Sequence, residues 1–360
     1  MKATQQLHET GQSLWLDNIT RDLLDSGTLQ RYIDDYSITG LTSNPTIFDH
    51  AIESTDSYDA AIEAGRGAAS TEELFFELAL DDLTRAADVF RPIHERTDTV
   101  DGWVSLEVSP LIAYNTSSTI EAAKDLHARA NRPNLFIKIP GTPEGHGAIE
   151  EAIFAGVPVN VTLLFSAEHY AGAAEAYLRG VERRIEAGLD PAVGSVASVF
   201  ISRWDKAVMD QVPADLRDRL GIAVAKQVYR DYRTLLDSNR WQHLANEGAR
   251  AQRLLWASTG TKDAEASDVL YIKALAAPFT VNTMPEKTML AFGDHGDVGN
   301  VLPSDGGDSS TTLEAFEGAG VDVGALGAKL QSDGTASFND SWNQLIGCIE
   351  AKTSSLGGSG

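Results

Sequence analysis

Leu135-Phe136-Ile137-Lys138-Ile139-Pro140-Gly141 is an apolar, strand-like segment that contains a lysine. Alternation along a β-strand places Phe136 and Lys138 on one face and the three aliphatic residues on the other. An ammonium group on a buried face is costly unless it is paired or loses its proton. A lysine without its proton is a nucleophile for carbonyl carbon. The alternative is an edge strand whose lysine reaches water.

Five other segments repeat this design, which favours the catalytic interpretation. In each, aliphatic side chains alternate with polar or reactive ones near the C-terminal end of a predicted strand. Polar groups inside and aliphatic groups outside are typical of a barrel of parallel strands wrapped in helices, with its active site at the C-terminal strand ends. The five segments are Leu14–Asp17, Gly40–Pro45, Trp103–Val108, Pro158–Leu163 and Ser195–Val199.

The 360-residue chain alternates predicted strands with helical patterns, as parallel sheets do. We expect one α/β domain over residues 1–354 and a disordered Gly/Ser tail over 355–360. Capping boxes predict helices after Ser70 and Ser118, and Ser166 caps another. The Gly, Asp and Ser content of residues 292–335 predicts a long loop with short helices. Residues 337–353 have the pattern of a final helix. The predicted strands lie near 13–18, 37–43, 102–108, 134–139, 157–163, 193–199, 253–258 and 278–282.

Composition narrows the possible partners. A net charge of −23 argues against nucleic acid and anionic membranes, and requires a local cationic site for any anionic substrate. The chain has neither a secretory h-region nor a long apolar run, so we expect a cytoplasmic protein. The glycine-rich segment 141–147 lacks the P-loop ending, and the eight histidines form no metal motif. We therefore expect no cofactor and no metal.

The polar groups suit Schiff-base chemistry. Unprotonated Lys138 could attack a ketone and form an iminium, which allows cleavage of the adjacent C–C bond. Loss of water needs a proton shuttle, for which Glu107 on the preceding strand is suited, with Thr162 on the next strand holding a water. Asp17 could act on the hydroxyl at the bond that breaks. We expect Phe136 and its aliphatic neighbours to desolvate the lysine.

Other polar residues fit a sugar phosphate. Asn44, Asn160 and Ser198 are neutral hydrogen-bonding partners for a polyol chain. Arg203 lies beyond a strand end, where it could reach a phosphate.

Structural alternatives exist for five of the polar residues. Asp17 could be only a helix N-cap, and Glu107 could pair with a lysine of a neighbouring strand. Thr162 could be ordinary strand filler, and Arg203 and Lys262 could simply face solvent.

Two specific segments resemble the signatures of the transaldolase family. Gly40–Phe48 resembles the first signature, and Leu135–Thr142 resembles the segment around the family's Schiff-base lysine. The resemblance covers nearly the whole chain. Supporting matches are Trp15–Asp17, Ser105–Glu107, Asn160–Ser166 and Ser198–Arg203.

The resemblance implies a single (β/α)8 TIM barrel of the circularly permuted class I aldolase type, with extra helices and a C-terminal helix packed on the barrel. It implies transfer of a dihydroxyacetone unit from sedoheptulose 7-phosphate or fructose 6-phosphate to an aldose phosphate, in the pentose phosphate pathway. The implied roles are nucleophile for Lys138, a water-mediated acid/base pair for Glu107 and Thr162, and base for Asp17. For substrate binding, the resemblance implies that Asn44, Asn160 and Ser198 contact the dihydroxyacetone unit. It implies that Arg203 binds the phosphate.

One segment departs from the common pattern. Many transaldolases have Ala-Ser-Phe-Arg after the seventh strand, whereas this chain has Trp256–Lys262, in which Ser258 matches and the cation comes later as Lys262. This variation resembles the actinobacterial and cyanobacterial-type branch. It makes Lys262 the candidate for the second phosphate contact.

Two other functions compete with transfer. A fructose 6-phosphate aldolase-like enzyme would release dihydroxyacetone, but such relatives carry tyrosine where this chain has Phe200, and phenylalanine cannot donate a proton. A non-catalytic barrel that binds sugar phosphate is the third possibility, and the intact reactive residues argue against it. Acceptor preference, and whether the chain is a monomer or a homodimer, stay open.

Overall fold

Eight parallel strands form a closed barrel in the computed structural model, which describes residues 1–357. Each strand pairs with the next in sequence, and β1 pairs with β8. The predicted α/β barrel is therefore confirmed, with observed strand ends within a few residues of those predicted. The strands are β1 Ser13–Asp17, β2 Ile38–Thr42, β3 Val104–Glu107, β4 Leu135–Pro140, β5 Val159–Leu164, β6 Ser195–Phe200, β7 Arg253–Ala257 and β8 Val281–Met284.

Helices cover the outside of the barrel and fill the long intervals between strands. The interval between β2 and β3 holds three of them, and the interval between β6 and β7 also holds three. The helices are α1 Ala3–Glu9, α2 Arg21–Asp25, α3 Thr28–Tyr36, α4 Pro45–Ser54, α5 Asp59–Ala64, α6 Thr71–Arg96, α7 Thr116–Ala130, α8 Pro143–Phe154, α9 Ala167–Glu186, α10 Ser202–Val208, α11 Leu220–Leu236, α12 Asn239–Asn246, α13 Leu270–Ala274, α14 Glu286–His295, α15 Ser309–Gly318 and α16 Val323–Gly357.

Helix caps were predicted with mixed success. Ser70 and Ser166 accept hydrogen bonds from the backbone N–H groups of Glu73 and His169, as their positions predicted. The prediction for α7 was wrong by one turn, because its cap is Asn115, whose side chain accepts from the N–H of Ser118. Asparagine caps helices as well as serine does, so the later Ser-x-x-Glu pattern was misleading.

The predicted start of the C-terminal helix, α16, was the largest error. The helix begins at Val323, inside the segment 292–335 that was predicted to be a long loop with short helices. Its glycines weaken the local helix pattern, since glycine disfavours a helix interior. Two of these glycines lie close to α10 and β5. A Cβ on Gly327 would lie 3.1 Å from Trp204, and one on Gly334 would lie 3.0 Å from Leu163. The helix also covers 355–357 of the predicted disordered tail, and 358–360 lie outside the described residues.

Aromatic side chains fill the barrel toward the N-terminal ends of its strands. Phe136 stacks on Trp103 with ring centroids 4.0 Å apart, and Trp15 lies 6.1 Å from Phe136 on another side. All three are buried. This packing fills the barrel below Lys138, and the polar residues lie on the other side of the lysine, toward the C-terminal ends of the strands.

None of the helices within residues 1–357 combines the length and the hydropathy of a membrane-spanning segment.

Candidate active site

A cavity of about 290 Å³ opens at the C-terminal ends of the strands. Because parallel strands end at the same edge of a barrel, residues from distant parts of the chain meet there. Ten of the eleven site residues singled out from the sequence line this cavity, and Glu107 reaches it through its contact with Lys138. The ten are Asp17, Asn44, Lys138, Asn160, Thr162, Ser198, Phe200, Arg203, Ser258 and Lys262.

Lys138 is buried, and its ammonium group contacts two polar partners. Its Nζ donates to the carbonyl oxygen of Ser43 at 2.7 Å and to Glu107 Oε2 at 3.2 Å. The surroundings of the lysine are not wholly apolar as expected, because Glu107 of β3 stands beside Lys138 in the barrel register. A neutral amine can therefore arise by transfer of a proton to Glu107, without any net change in buried charge.

Two carboxyl groups flank the lysine with altered proton affinity. Burial raises the pKa of Glu107, and the nearby Lys138 opposes that rise. Burial likewise raises the pKa of Asp17, against the influence of Lys138 and of a hydrogen bond from Thr42, whose Oγ1 donates to Asp17 Oδ1 at 2.8 Å. Carboxyl groups with raised pKa values can hold and return protons, as acid/base catalysis requires.

Thr162 occupies a distorted part of β5. Its side chain is buried, and its Oγ1 has no hydrogen-bonding partner among the described residues. The register with β6 shifts between Val161 and Leu164, and Leu163 has a φ of 58°. Such bulges re-aim side chains next to active sites. The unused hydroxyl can bind a water in the cavity.

Neutral polar groups form a chain along one wall. Ser198 Oγ donates to Asn160 Oδ1 at 2.6 Å, and Asn160 Nδ2 donates to Ser105 Oγ at 3.2 Å. Asn44 also caps α4, since its Oδ1 accepts from the N–H of Ile47 at 3.1 Å. The amide nitrogen of Asn44 has no hydrogen-bonding partner within residues 1–357, so its structural role as a cap is compatible with ligand binding.

Arg203 provides a positive charge beside two aromatic rings. Its guanidinium carbon lies 5.2 Å from the centroid of Phe200 and 5.9 Å from that of Phe338. Burial lowers its pKa, but an arginine stays charged in proteins. Within residues 1–357 it forms no ion pair with a carboxylate, so its charge can serve a bound anion.

Lys262 adds a second cation at the mouth of the cavity. Partial desolvation lowers its pKa, and repulsion by Lys206 and Arg203 lowers it further. Three positive groups therefore lie together in a chain of strongly negative net charge. Lys206 was missed in the sequence, where it is simply an exposed helical lysine one turn after Arg203.

Sequence reasoning also missed the contribution of α16. Ser337, Phe338 and Ser341 of this helix line the cavity, and no local pattern connects them with Lys138, nearly two hundred residues earlier in the chain. Thr42 and Ser105, by contrast, carried a signal, because both stand on the polar faces of their strands. Within the part of the chain that the structure describes, no group of three or more His, Cys, Asp or Glu residues could hold a metal ion.

Comparison with known proteins gives the same family throughout. The family model described as Transaldolase/Fructose-6-phosphate aldolase matches residues 14–349. A protein named Transaldolase from Arthrobacter sp. (strain FB24) is 42% identical over 362 residues, which cover 98% of each chain. One named Transaldolase from Mycobacterium tuberculosis is 42% identical over 352 residues, 94% of each chain.

A cyanobacterial protein is nearly as similar. Transaldolase 2 from Nostoc sp. is 38% identical over 371 residues, which cover 98% of this chain and 97% of the relative. The expected likeness to actinobacterial and cyanobacterial proteins is thereby confirmed. With the closed barrel, the buried lysine and a family match over nearly its whole length, the chain belongs to the transaldolase/fructose-6-phosphate aldolase family.

Proposed function

We propose that the protein is a transaldolase that transfers a dihydroxyacetone unit between sugar phosphates through a Schiff base on Lys138. The donors are sedoheptulose 7-phosphate or fructose 6-phosphate, and the acceptor is an aldose phosphate, in the cytoplasmic pentose phosphate pathway. The observation that carries this proposal is the buried contact between Lys138 Nζ and Glu107 Oε2, 3.2 Å, in a cavity with cations at its mouth.

Schiff-base formation starts with a proton transfer. Glu107 takes a proton from the Lys138 ammonium, and the resulting amine adds to the C2 carbonyl of the donor while its nitrogen proton passes to the oxygen. Glu107, through a water held by Thr162, then protonates this hydroxyl, which leaves as water and gives an iminium. The raised pKa of Glu107 supports this role, because the carboxyl can hold the proton between the two steps.

Carbon–carbon cleavage uses the other carboxyl group. Asp17 removes the proton of the C4 hydroxyl, the electrons of the C3–C4 bond flow into the iminium, and an aldose phosphate leaves an enamine on Lys138. The enamine carbon then attacks the acceptor aldehyde, and Asp17 returns the proton to the new alkoxide. Hydrolysis of the iminium by the reverse of its formation releases the product ketose.

The remaining cavity residues bind the substrate. The neutral groups of Asn44, Asn160 and Ser198 suit the hydroxyls of the dihydroxyacetone unit. The charges of Arg203 and Lys262 suit the phosphate, since charge-assisted hydrogen bonds are the stronger ones. Ser258, whose Oγ lies 2.9 Å from Ser202 Oγ, supplies a further hydroxyl at this end of the cavity.

Phe200 favours transfer over release of dihydroxyacetone. Its ring packs against Phe165 and Phe338, with centroid distances of 5.4 and 6.5 Å, and it gives the enamine no proton donor. A tyrosine would add one hydroxyl at nearly the same volume. We expect Phe200→Tyr to gain release of free dihydroxyacetone from fructose 6-phosphate and to lose part of its transfer activity.

The experiment follows both reactions in the wild type and in Phe200→Tyr. Transfer is assayed with fructose 6-phosphate and erythrose 4-phosphate, and release is assayed without an acceptor. Phe316→Tyr, at a buried phenylalanine of α15 that does not line the cavity, is the matched control. A wild type that releases dihydroxyacetone as fast as it transfers it would instead be an aldolase, and one that does neither would be a non-catalytic barrel.

A further inference from the structure

Gln331 of α16 bridges the ends of the strands that carry Lys138 and Thr162. Its side chain is buried, and its Nε2 donates to the carbonyl oxygens of Gly141 and Leu163, each at 3.0 Å. An amide nitrogen has two hydrogens, so both are used. The glutamine thereby ties β4 to β5 just beyond the reactive side chains.

The second carbonyl belongs to a strained residue. Leu163 has a φ of 58°, in the left-handed region that is unfavourable for leucine, and it stands in the bulge between β5 and β6. A residue in such a conformation persists only where its surroundings hold it there. The hydrogen bond from Gln331 is one of the contacts that hold it.

Helix α16 packs directly on this bulge. A Cβ on Gly334 would lie 3.0 Å from Leu163 Cδ2 and 3.3 Å from Arg203 Nη1, so only a glycine lets the helix come so close without displacing them. Thr335 Oγ1 donates to the carbonyl oxygen of Gln331 at 3.1 Å, which adds a second tie within the helix. The backbone that carries Gln331 therefore has a fixed place relative to β5.

Thr162 immediately precedes the strained residue. Its carbonyl oxygen accepts from the N–H of Gly141 at 2.8 Å, whereas its Oγ1 is buried without a partner among the described residues. The direction of that hydroxyl is set by the backbone of residues 162 and 163. The contacts of Gly141 with Thr162 and Gln331 therefore fix how the hydroxyl faces the cavity.

We infer that Gln331 is a positioning residue that keeps the Thr162 hydroxyl and its water in reach of Lys138 and Glu107 while the Schiff base forms and is hydrolysed. The inference rests on the proposed transaldolase function. Gln331 acts through the backbone and touches no reacting atom, so its effect belongs to the proton-transfer steps and not to substrate affinity.

The test removes both donors at similar volume with Gln331→Met. Rapid-quench trapping with borohydride and fructose 6-phosphate measures how fast the adduct forms. We expect the rate to fall by about 10- to 100-fold, the usual cost of a small misplacement of reacting groups, with KM little changed. Gln344→Met, at an exposed glutamine of the same helix, is the matched control and should keep the wild-type rate.

A double-mutant cycle separates positioning from general stability. If Gln331 acts through Thr162, the double variant Gln331→Met/Thr162→Val should be no slower than Thr162→Val alone. Rate losses that multiply in the double variant would overturn the inference. So would an unchanged rate in folded Gln331→Met.

Two further measurements keep the outcome clear. Gln331→Glu, which keeps the shape but replaces the N–H donors with a carboxyl group, is measured in parallel. It is judged by the same criteria should Gln331→Met lack a cooperative thermal transition. A wild type that traps no adduct would refute the proposed function itself. A trapped adduct in the wild type together with an unaffected rate in the Gln331 variants refutes only the positioning role.

Discussion

Lys138 shares its buried environment with two carboxyl groups, whose different contacts suit them to different tasks. Glu107 touches the lysine directly, whereas Asp17 is hydrogen-bonded to Thr42, which in turn lies 2.7 Å from Thr283. Burial raises the pKa of both carboxyl groups. The group in contact with the amine can take part in Schiff-base formation, and the other can reach a more distant part of the substrate.

Substitution of each carboxyl group should therefore block a different step. We expect Glu107→Gln to slow adduct formation by roughly 10²–10⁴-fold, the usual worth of a positioned acid/base group. Asp17→Asn should form the adduct at nearly the wild-type rate and slow C–C cleavage. Rapid-quench trapping and single-turnover release of aldose phosphate measure the two steps. Both variants blocked at the same step would refute this division.

Arg203 should discriminate between phosphorylated and unphosphorylated donors. Removal of a charge-assisted contact costs about 1.5–3 kcal/mol, so Arg203→Ala should raise KM for fructose 6-phosphate by roughly 10- to 100-fold. KM for fructose should change little, and Lys262→Ala should show the same preference more weakly. Arg31→Ala, which removes an equal charge from an exposed position of α3, is the control. Equal losses with both donors would exclude a phosphate role.

At the scale of single residues, most of the residues of the candidate site could be predicted from the sequence. Alternation of polar and apolar residues along the strands indicated Asp17, Glu107, Lys138 and Thr162, because a barrel strand alternates between its inner and outer faces. It left open whether Glu107 forms an ion pair with a lysine of a neighbouring strand, and in the structure Glu107 pairs with Lys138. That pairing depends on which residues of neighbouring strands lie side by side, which no single segment reveals.

Individual elements show where local patterns succeed and where tertiary packing overrides them. The strands were found because their buried faces have a period of two residues. Helix α16 was placed too late because glycines at its contacts with the barrel weaken a local helix signal. Gly327 and Gly334 face Trp204 and Leu163, which lie far away in the chain, so only the folded structure explains these glycines.

The start of α11 gives a stability prediction at this scale. Asp205 Oδ1 accepts from the N–H groups of Leu220 and Gly221, and Tyr271 OH donates to its Oδ2. Burial raises the pKa of Asp205 from 3.8 to about 6. The folded protein thus holds this proton more tightly than the unfolded chain does, so its stability falls as pH rises between those two values.

Asp205→Asn removes this titration and should keep most of the cap, since an amide oxygen can accept the same N–H groups. The free energy of unfolding of wild type relative to the variant should fall by roughly 2 kcal/mol from pH 4 to pH 6.5. Urea unfolding at several pH values measures this difference. Asp215→Asn, at an exposed aspartate, is the control. A difference that stays constant with pH would contradict the assignment.

At the scale of the whole molecule, barrel closure and charge explain why a site forms at all. Closure brings β1 against β8, so that residues from both ends of the chain surround one cavity. The net charge of −23 would repel an anionic substrate, and the three cations Arg203, Lys206 and Lys262 counter it locally. The overall charge was readable from the sequence, but the clustering of the cations needed the fold.

The central claim is that one buried lysine, Lys138, carries the substrate covalently. The most direct test incubates the protein with fructose 6-phosphate and borohydride and then maps the modified lysine by mass spectrometry. We expect one three-carbon adduct, on Lys138, which is absent from Lys138→Met and kept in Lys262→Met. An adduct on a different lysine, or no adduct in an active wild type, would contradict the account.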